Sequence, residues 1–174
     1  FELMALNVNP GFRPGEHVPL AGWLGERGFS GHLEVTDFGP RAHSEENRAG
    51  SACFYCSLLR RKRLFELCRT YGLTHLAFGH NVDDLAATFF MNILQNGRVE
   101  GMSHKEPFFQ GRLTVLRPAL AVEKKYIKAA ARQWGLPVWE NTCPSNGISR
   151  RDEIGRWMAD AWRQDARIKN NIFN

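Results

Sequence analysis

The stretch from residue 53 to residue 97, CFYCSLLRRKRLFELCRTYGLTHLAFGHNVDDLAATFFMNILQNG, narrows the folds open to this chain more than any other. A Cys-x-x-Cys pair opens a basic helix over residues 56–71. Leu58, Leu59, Phe65 and Leu67 recur there near helical spacing, and Gly72 supplies a stop. Residues 74–78 (THLAF) read as a short apolar strand. A Gly79-His80-Asn81 turn follows, and Asp83 and Asp84 head a second helix over 83–95. Its buried side is Leu85, Ala86, Phe89, Phe90, Ile93 and Leu94, and Asn96-Gly97 ends it.

The flanks extend the same alternation. Residues 1–8 (FELMALNV) and 32–38 (HLEVTDF) read as strands. Between them, residues 20–28 form a short helix with Leu20, Trp23 and Leu24 on one face. Residues 39–51 read as a polar loop. Beyond Gly97 come a polar loop (98–111), a strand closed by Pro118 (113–117), a helix broken by Gly135 (122–134) and a short strand (136–139). A loop (141–149) leads to a last helix over 150–169, with Ile154, Trp157, Met158 and Ala161 on one side. Strands alternating with helices predict an α/β fold, a mostly parallel sheet between two helical layers. At 174 residues this is one domain with room for a core. Ligands of such sheets bind at the carboxyl ends of the strands, and Cys53, His80, Asp83 and Pro118 all follow predicted strands.

Several classes are excluded. Hydrophobic residues at 43% and charged ones at 24% are those of an ordinary globular chain. No apolar run reaches the ~20 residues that span a bilayer, and no signal-peptide pattern is present. The net charge of +5 is compatible with a polyanionic partner without requiring one. A Cys-x-x-Cys without a secretory signal points to the cytoplasm and to metal or redox chemistry. Because the sequence opens at Phe1, inside a predicted strand, a segment N-terminal to it is expected.

Each motif carries a bland reading beside the functional one. Cys53 and Cys56 are spaced to grip one metal, and Cys143, in a Gly/Pro/Ser-rich loop, suits a third ligand better than Cys68, which sits inside an amphipathic helix. Three thiolates leave zinc, or one iron of a cubane cluster, an open position. Against this, the pair is compatible with core thiols or a thioredoxin-like redox pair. Asp83 or Asp84 can hold magnesium beside phosphates, yet Asn81 and Asp84 also have the spacing of a helix N-cap and its capping box. Arg60-Arg61-Lys62-Arg63 can neutralise phosphates or simply form a solvated face.

In combination, Cys-x-x-Cys-Ser with Leu-Arg-Arg, the Gly-His-Asn-x-Asp-Asp turn and a later Leu-Arg-Pro-Ala resemble the PP-loop ATPase superfamily. Within it the likeness is to tRNA thiolation enzymes of the 2-thiocytidine synthetase type, over residues 1 to about 146. Cys143 falls where that family's third cluster cysteine is expected. The resemblance implies a single PP-loop domain over 1–174 with an adenine-nucleotide α-hydrolase-like (Rossmann-like) fold. It implies ATP, magnesium and a 4Fe–4S cluster on Cys53, Cys56 and Cys143, with zinc as second choice. The implied reaction is adenylation of a carbonyl oxygen of a tRNA base, followed by attack of sulfur held at the cluster's open iron. Asp83 and Asp84 would organise magnesium or the base, and Arg60 and Arg61 would stabilise negative charge. Gly79, His80, Asn81 and Arg117 would line or support the nucleotide pocket. The expected partners are tRNA, a sulfur donor and a second copy of the chain, with no membrane. Two departures stand out. The family's Ser-Gly-Gly-x-Asp-Ser phosphate loop is not in this sequence and is expected, with the first strand, before Phe1. Asn141-Thr142-Cys143-Pro144 holds one cysteine where the family often has two.

Overall fold

A computed structural model of the chain describes residues 2–48, 50–138, 141–165, 167–168 and 171. It divides into two compact units, Phe1–Gly72 with Pro137–Asn146, and Leu73–Leu136 with Gly147–Asn174.

In the first unit, β1 (Met4–Asn9) and β2 (Ser30–Val35) pair in parallel, from Met4 opposite Ser30 to Asn9 opposite Val35. The crossover is α1 (Val18–Glu26), which has a proline in its first turn and buries Leu24. β1 becomes buried toward its carboxyl end, at Val8 and Asn9. Asn9 is polar and is satisfied there. Its Oδ1 accepts the Gly11 N–H at 2.8 Å and its carbonyl accepts from the Thr36 N–H and hydroxyl, both at 2.9 Å. Gly11 has φ +85°, and a Cβ there would lie 1.9 Å from the Thr36 carbonyl oxygen, so this turn requires glycine. Residues 38–42, expected as strand end and loop, instead form the short α2 (Phe38–Ala42). The long α3 (Ala52–Thr70) begins before Cys53, because the Ser51 hydroxyl accepts the Phe54 N–H and caps it. The Cys-x-x-Cys pair therefore lies within the helix. Leu67 and Cys68 are fully buried, whereas Leu58, expected in the core, is 46% exposed.

In the second unit, β5 (Leu113–Leu116) is central, parallel to β3 (His75–Ala77) and antiparallel to β4 (Lys105–Phe108). β4 falls in a predicted loop. Its period-two pattern is masked by Lys105 and Pro107, which face outward while Glu106 and Phe108 are half-buried, as an edge strand allows. The helix α4 (Val82–Asn96) ends at Gly97 in the left-handed region, φ +62°. It packs on α6 (Arg150–Gln164) through Ala86, Ala87, Ile154 and Met158, with Phe90, Met91 and Trp162 against them. Burying Ile154 and Met158 contributes about 1.5–3 kcal/mol each. Ile93 and Leu94, expected on that seam, are exposed, and Trp157 is half-exposed with its ring edge-on to Phe90 at 5.1 Å. Between β5 and α6 lies α5 (Lys124–Gln133), which buries no residue completely. Residues 136–138 form no strand. The Leu136 N–H returns to the Ala131 carbonyl at 2.9 Å, wrapping the end of α5, and Pro137 brings no donor. Phe1, Trp139 and Lys169, at the ends of predicted elements, lie outside the described residues. Among the described residues no helix is long and apolar enough to cross a membrane.

Candidate thiol and carboxylate sites

The first unit gathers the thiols. Cys53 is exposed, Cys56 and Cys143 are half-buried, and all three are free. Cys143 is set by a local turn, its N–H on Asn141 Oδ1 at 3.1 Å and its carbonyl accepting the Asn146 N–H at 2.9 Å. Its Sγ lies 3.9 Å from His43 Nε2. Burial pushes the Cys56 thiol up, the Arg60 cation pulls it down, and the nearby Cys143 and Cys53 push it up further. The late loop and the start of α3 therefore bring Cys143 and Cys53 each within electrostatic range of Cys56. Cys68 is elsewhere. It is 1% exposed, its thiol is pushed up by burial, and it is an inert core residue.

Among the described residues, no group of three or more His, Cys, Asp or Glu is placed to hold a metal ion as the side chains stand. The chemistry of the donors still fits a thiophilic centre: three thiols, one cation beside them, and a loop able to supply the third sulfur.

A cleft of about 260 Å³ opens at the carboxyl end of β1, where such sheets take ligands. Asn9, Phe12, His17, Arg60 and Thr142 are among its lining residues. Arg60 is fixed across it, with Nε on the Val8 carbonyl at 3.2 Å. The Thr142 hydroxyl donates to the Glu16 carboxylate on the same cleft. His43, Glu16, His17 and Thr142 were not legible as site residues, since the Asn-Pro-Gly after β1 signals only a turn.

The rest of the basic run divides. Arg61 and Lys62 are exposed. Arg63 instead clamps α3 to β2, with Nε and Nη2 on Glu34 at 2.7 and 2.9 Å and Nη1 on Glu66 at 3.2 Å. His32 joins Glu34 at 3.0 Å to the Tyr71 hydroxyl at 2.8 Å. The Arg63 guanidinium, ahead of His32, holds the Glu34 carboxyl down at about 2, against the cost of burial.

In the second unit the carboxylates are tied to backbone. Asn81 and Asp84 form a reciprocal capping box, at 3.1 and 3.2 Å. Asp84 Oδ1 also faces Arg151 at 3.6 Å. Asp83 reaches further: its Oδ2 accepts the Lys124 N–H at 2.7 Å and so holds the first turn of α5. Beside that bond the Val82 N–H donates to the Val122 carbonyl at 3.1 Å. Sequence spacing gives no sign of the Asp83 link. His80 is half-buried with its ring 5.4 Å from Phe78, and Gly79 is exposed with open space beside its Cα. Arg117 follows β5 and braces the 98–104 loop, with Nη1 on the Ser103 carbonyl at 2.8 Å and Nη2 on Glu106 at 3.0 Å.

The arginines of α6 and its extension are each engaged. Arg150 pairs with Glu153 at 2.7 Å, Arg151 with Asp84, Arg163 with Asp160 and Arg167 with Asp165, while Arg156 donates to the Gly147 carbonyl at 2.8 Å.

A helix bearing Cys-x-x-Cys and a Gly-His-Asn-x-Asp-Asp turn ahead of a second helix, both on α/β units, define the class. Residues 57–153, more than half of the chain, match the family model of the PP-loop domain, and the chain belongs to that family. Its curated relatives include tRNA-cytidine(32) 2-sulfurtransferases. That of Bordetella parapertussis is 33% identical over 178 residues, covering 100% of this chain and 55% of the relative. That of Citrifermentans bemidjiense is 32% identical over 175 residues, covering 99% of this chain and 69% of the relative. The chain thus spans little more than half the length of the Bordetella protein. Among solved structures it is similar to the U34-tRNA thiolase NcsA from Methanococcus maripaludis, determined with its [4Fe-4S] cluster. The TM-score is 0.76 at 21% identity, over 99% of this chain and 59% of that one. At this identity the likeness shows the fold, which is the α/β architecture that strand–helix alternation predicts.

Proposed function

We propose that this chain performs ATP-dependent sulfur transfer to a tRNA base. ATP adenylates a carbonyl oxygen of the base and pyrophosphate leaves. Sulfur at the sulfide level then adds to the same carbon, and AMP departs with the oxygen. C=O becomes C=S without net oxidation or reduction. The observation that carries this reading is the gathering of Cys53, Cys56 and Cys143, in a chain similar over its full length to tRNA 2-sulfurtransferases.

Cys53, Cys56 and Cys143 would hold a 4Fe–4S cluster, or zinc as second choice, and the cluster when bound supplies a place for the incoming sulfur. The thiols must swing inward and lose their protons to do so, which Arg60 assists at Cys56. Arg60, held on the cleft by Val8, offers a fixed cation to the charge that develops on the adenylated oxygen, and exposed Arg61 adds a second. In the second unit, Asp83 has Oδ1 available for magnesium or the activated base, whereas Asp84 is engaged through both oxygens. Gly79, His80 and Asn81 would line the nucleotide, and Arg117 would stabilise the loop beside them. The family match runs from residue 57 to 153 and so includes segments of both units, which supports reading them as one PP-loop domain. A cytoplasmic setting, a sulfur donor and a homodimer complete the proposal.

The test is purification without oxygen, followed by visible absorption, iron and sulfide assay, and nucleoside mass analysis after incubation with ATP, sulfide and unmodified tRNA. A brown protein that exchanges oxygen for sulfur on one base is the expected result. Colourless zinc protein that binds tRNA without thiolation would make it a binding module. ATP turnover on small acceptors without RNA would make it a small-molecule adenylating enzyme.

A further inference from the structure

The cleft at the carboxyl end of β1 is lined by two charges of opposite sign that, among the described residues, do not pair with each other. Glu16 is half-buried, and its Oε1 accepts the Thr142 hydroxyl. Its Oε2 has no partner among the described residues. Arg60 uses Nε on the Val8 carbonyl at 3.2 Å, which leaves Nη1 and Nη2 without a partner among them. Asn7, half-buried on the same cleft, adds an amide with no partner there either. A free acceptor, a free cationic fork and a free amide thus border a space of about 260 Å³, with Phe12 in its wall.

This set excludes most occupants. A phosphate would meet Arg60 but also the Glu16 carboxylate. An apolar ligand would strip water from both charges and replace it with nothing. A flat neutral ring satisfies both when one edge carries an N–H donor and a carbonyl oxygen. The volume falls just under the ~300 Å³ at which pockets for drug-sized ligands begin, which suits one base of a nucleic acid. Position then decides which base. Thr142 directly precedes Cys143, and Arg60 lies one helical turn after Cys56 on the same side of α3. The cleft is therefore walled by neighbours of two of the thiols, and sulfur has to reach the carbonyl carbon of the base it modifies. Adenine also carries an amino group, but it has no carbonyl oxygen to offer Arg60.

We infer that Glu16 selects the target base: its free oxygen accepts an exocyclic amino group while Arg60 donates to the carbonyl oxygen to be replaced, and Thr142 positions the carboxylate. This deepens the proposed function and rests on it. Cytosine offers that amino group at C4, where uracil has a second carbonyl oxygen. Opposite Glu16 that oxygen sets two acceptors face to face and leaves the carboxylate without a donor. The base enters unstacked and unpaired, because pairing in a duplex occupies the edge that Glu16 and Arg60 read.

The experiment compares thiolation by the full chain of two unmodified tRNA transcripts that differ only in cytosine or uracil at the modified position. The proteins are the wild type, Glu16→Gln, Thr142→Val and, as control on the same helix region, Glu26→Gln. The wild type should favour cytosine in kcat/KM by about 100-fold or more. A glutamine amide can turn either its oxygen or its N–H to the base, so Glu16→Gln should cut that preference about tenfold or more, through loss on cytosine and gain on uracil. Thr142→Val should shift the preference the same way and less, and Glu26→Gln should leave it unchanged. Iron content and circular dichroism establish that each variant is loaded and folded, and Thr142→Val carries the test on the same criteria if Glu16→Gln is not. An unchanged preference, or equal losses on both transcripts, overturns this inference alone. A change confined to KM for ATP places adenine in the cleft and also overturns it. Absence of thiolation by the wild type on either transcript overturns the proposed function itself.

Discussion

The thiols of the first unit and the carboxylates of the second are anchored over different sequence distances. Asp84 is fixed by Asn81, three residues away, and the same box recurs at Ser149 and Asp152. Cys143 reaches the neighbourhood of Cys56 and His43 only through the fold, and Arg60 finds its acceptor on a different element, at Val8. The cap of the second unit's turn thus rests on neighbours in sequence, although Asp83 also reaches Lys124 on α5, whereas the first unit's site rests on β1, α3 and the late loop being in place. The thiol site should therefore be the more fragile of the two, and easier to empty without unfolding the chain.

The largest effect expected from that contrast is at Cys143. Cys143→Ser should eliminate bound iron and sulfide and, with them, thiolation, while melting stays within about 1 kcal/mol of the wild type, because the side chain is half-buried in a loop. Cys68→Ser should do the reverse, keeping the metal and losing stability through a polar atom in the core. A Cys143→Ser protein that still loads iron would break the comparison.

Next is Asp83, whose carboxylate braces the first turn of α5 and carries the proposed catalytic role. Asp83→Asn keeps a side-chain oxygen for the Lys124 N–H but loses the charge, so turnover should drop on the order of 100-fold with melting nearly unchanged. Asp83→Ala should lose both, adding about 1 kcal/mol of destabilisation. Equal activity of the Asn variant and the wild type would reduce Asp83 to a helix brace.

These contrasts also explain what was legible. The Asn81–Asp84 box, the stop at Gly97 and the parallel pairing of β1 with β2 follow from local pattern, and all can be read along the chain. The choice of Cys143 over Cys68 as the third thiol came from its loop setting as well as from resemblance, because spacing alone cannot say which late cysteine folds back. The Asp83 bond to α5 and the Arg63 clamp on Glu34 depend on register between elements and leave no local trace. β4 was hidden by a proline that only an edge strand tolerates, and the exposure of Leu94 by a helical pattern that is more apolar than its partner α6 covers.

The Arg63 clamp gives a smaller effect, confined to acid. Glu34 titrates at about 2 rather than its ordinary 4.5. Because the folded value is the lower one, its contribution is fully present above about pH 4.5 and is lost as pH falls toward 2. With its side chain 19% exposed and that of Arg63 35%, the loss is about 2 kcal/mol. Glu34→Gln should lower the midpoint of denaturant unfolding at pH 7 and flatten its decline between pH 4.5 and 2. Parallel pH curves for variant and wild type would show that the clamp is not what acid breaks.

The smallest effect tests the other side of the comparison, the locally built unit. Ser149 accepts the Asp152 N–H at 3.3 Å, and its own N–H donates to Asp152 Oδ2 at 3.0 Å. Its hydroxyl, first among several donors, holds the Asp152 carboxyl below the usual aspartate value. Ser149→Ala removes one capping acceptor and one donor to the carboxylate, and should cost about 1 kcal/mol. Asp152 should then titrate nearer its ordinary value, so the variant loses less stability than the wild type as pH falls below about 4. Ser149→Asn restores the acceptor and should recover most of the loss. Thiolation should be unaffected, because the α4–α6 seam at Ile154 and Met158 still holds the helix in place. If Ser149→Ala instead abolishes thiolation at unchanged stability, the start of α6 acts on substrate, and the division between a locally built frame and a fold-dependent site would have to be abandoned.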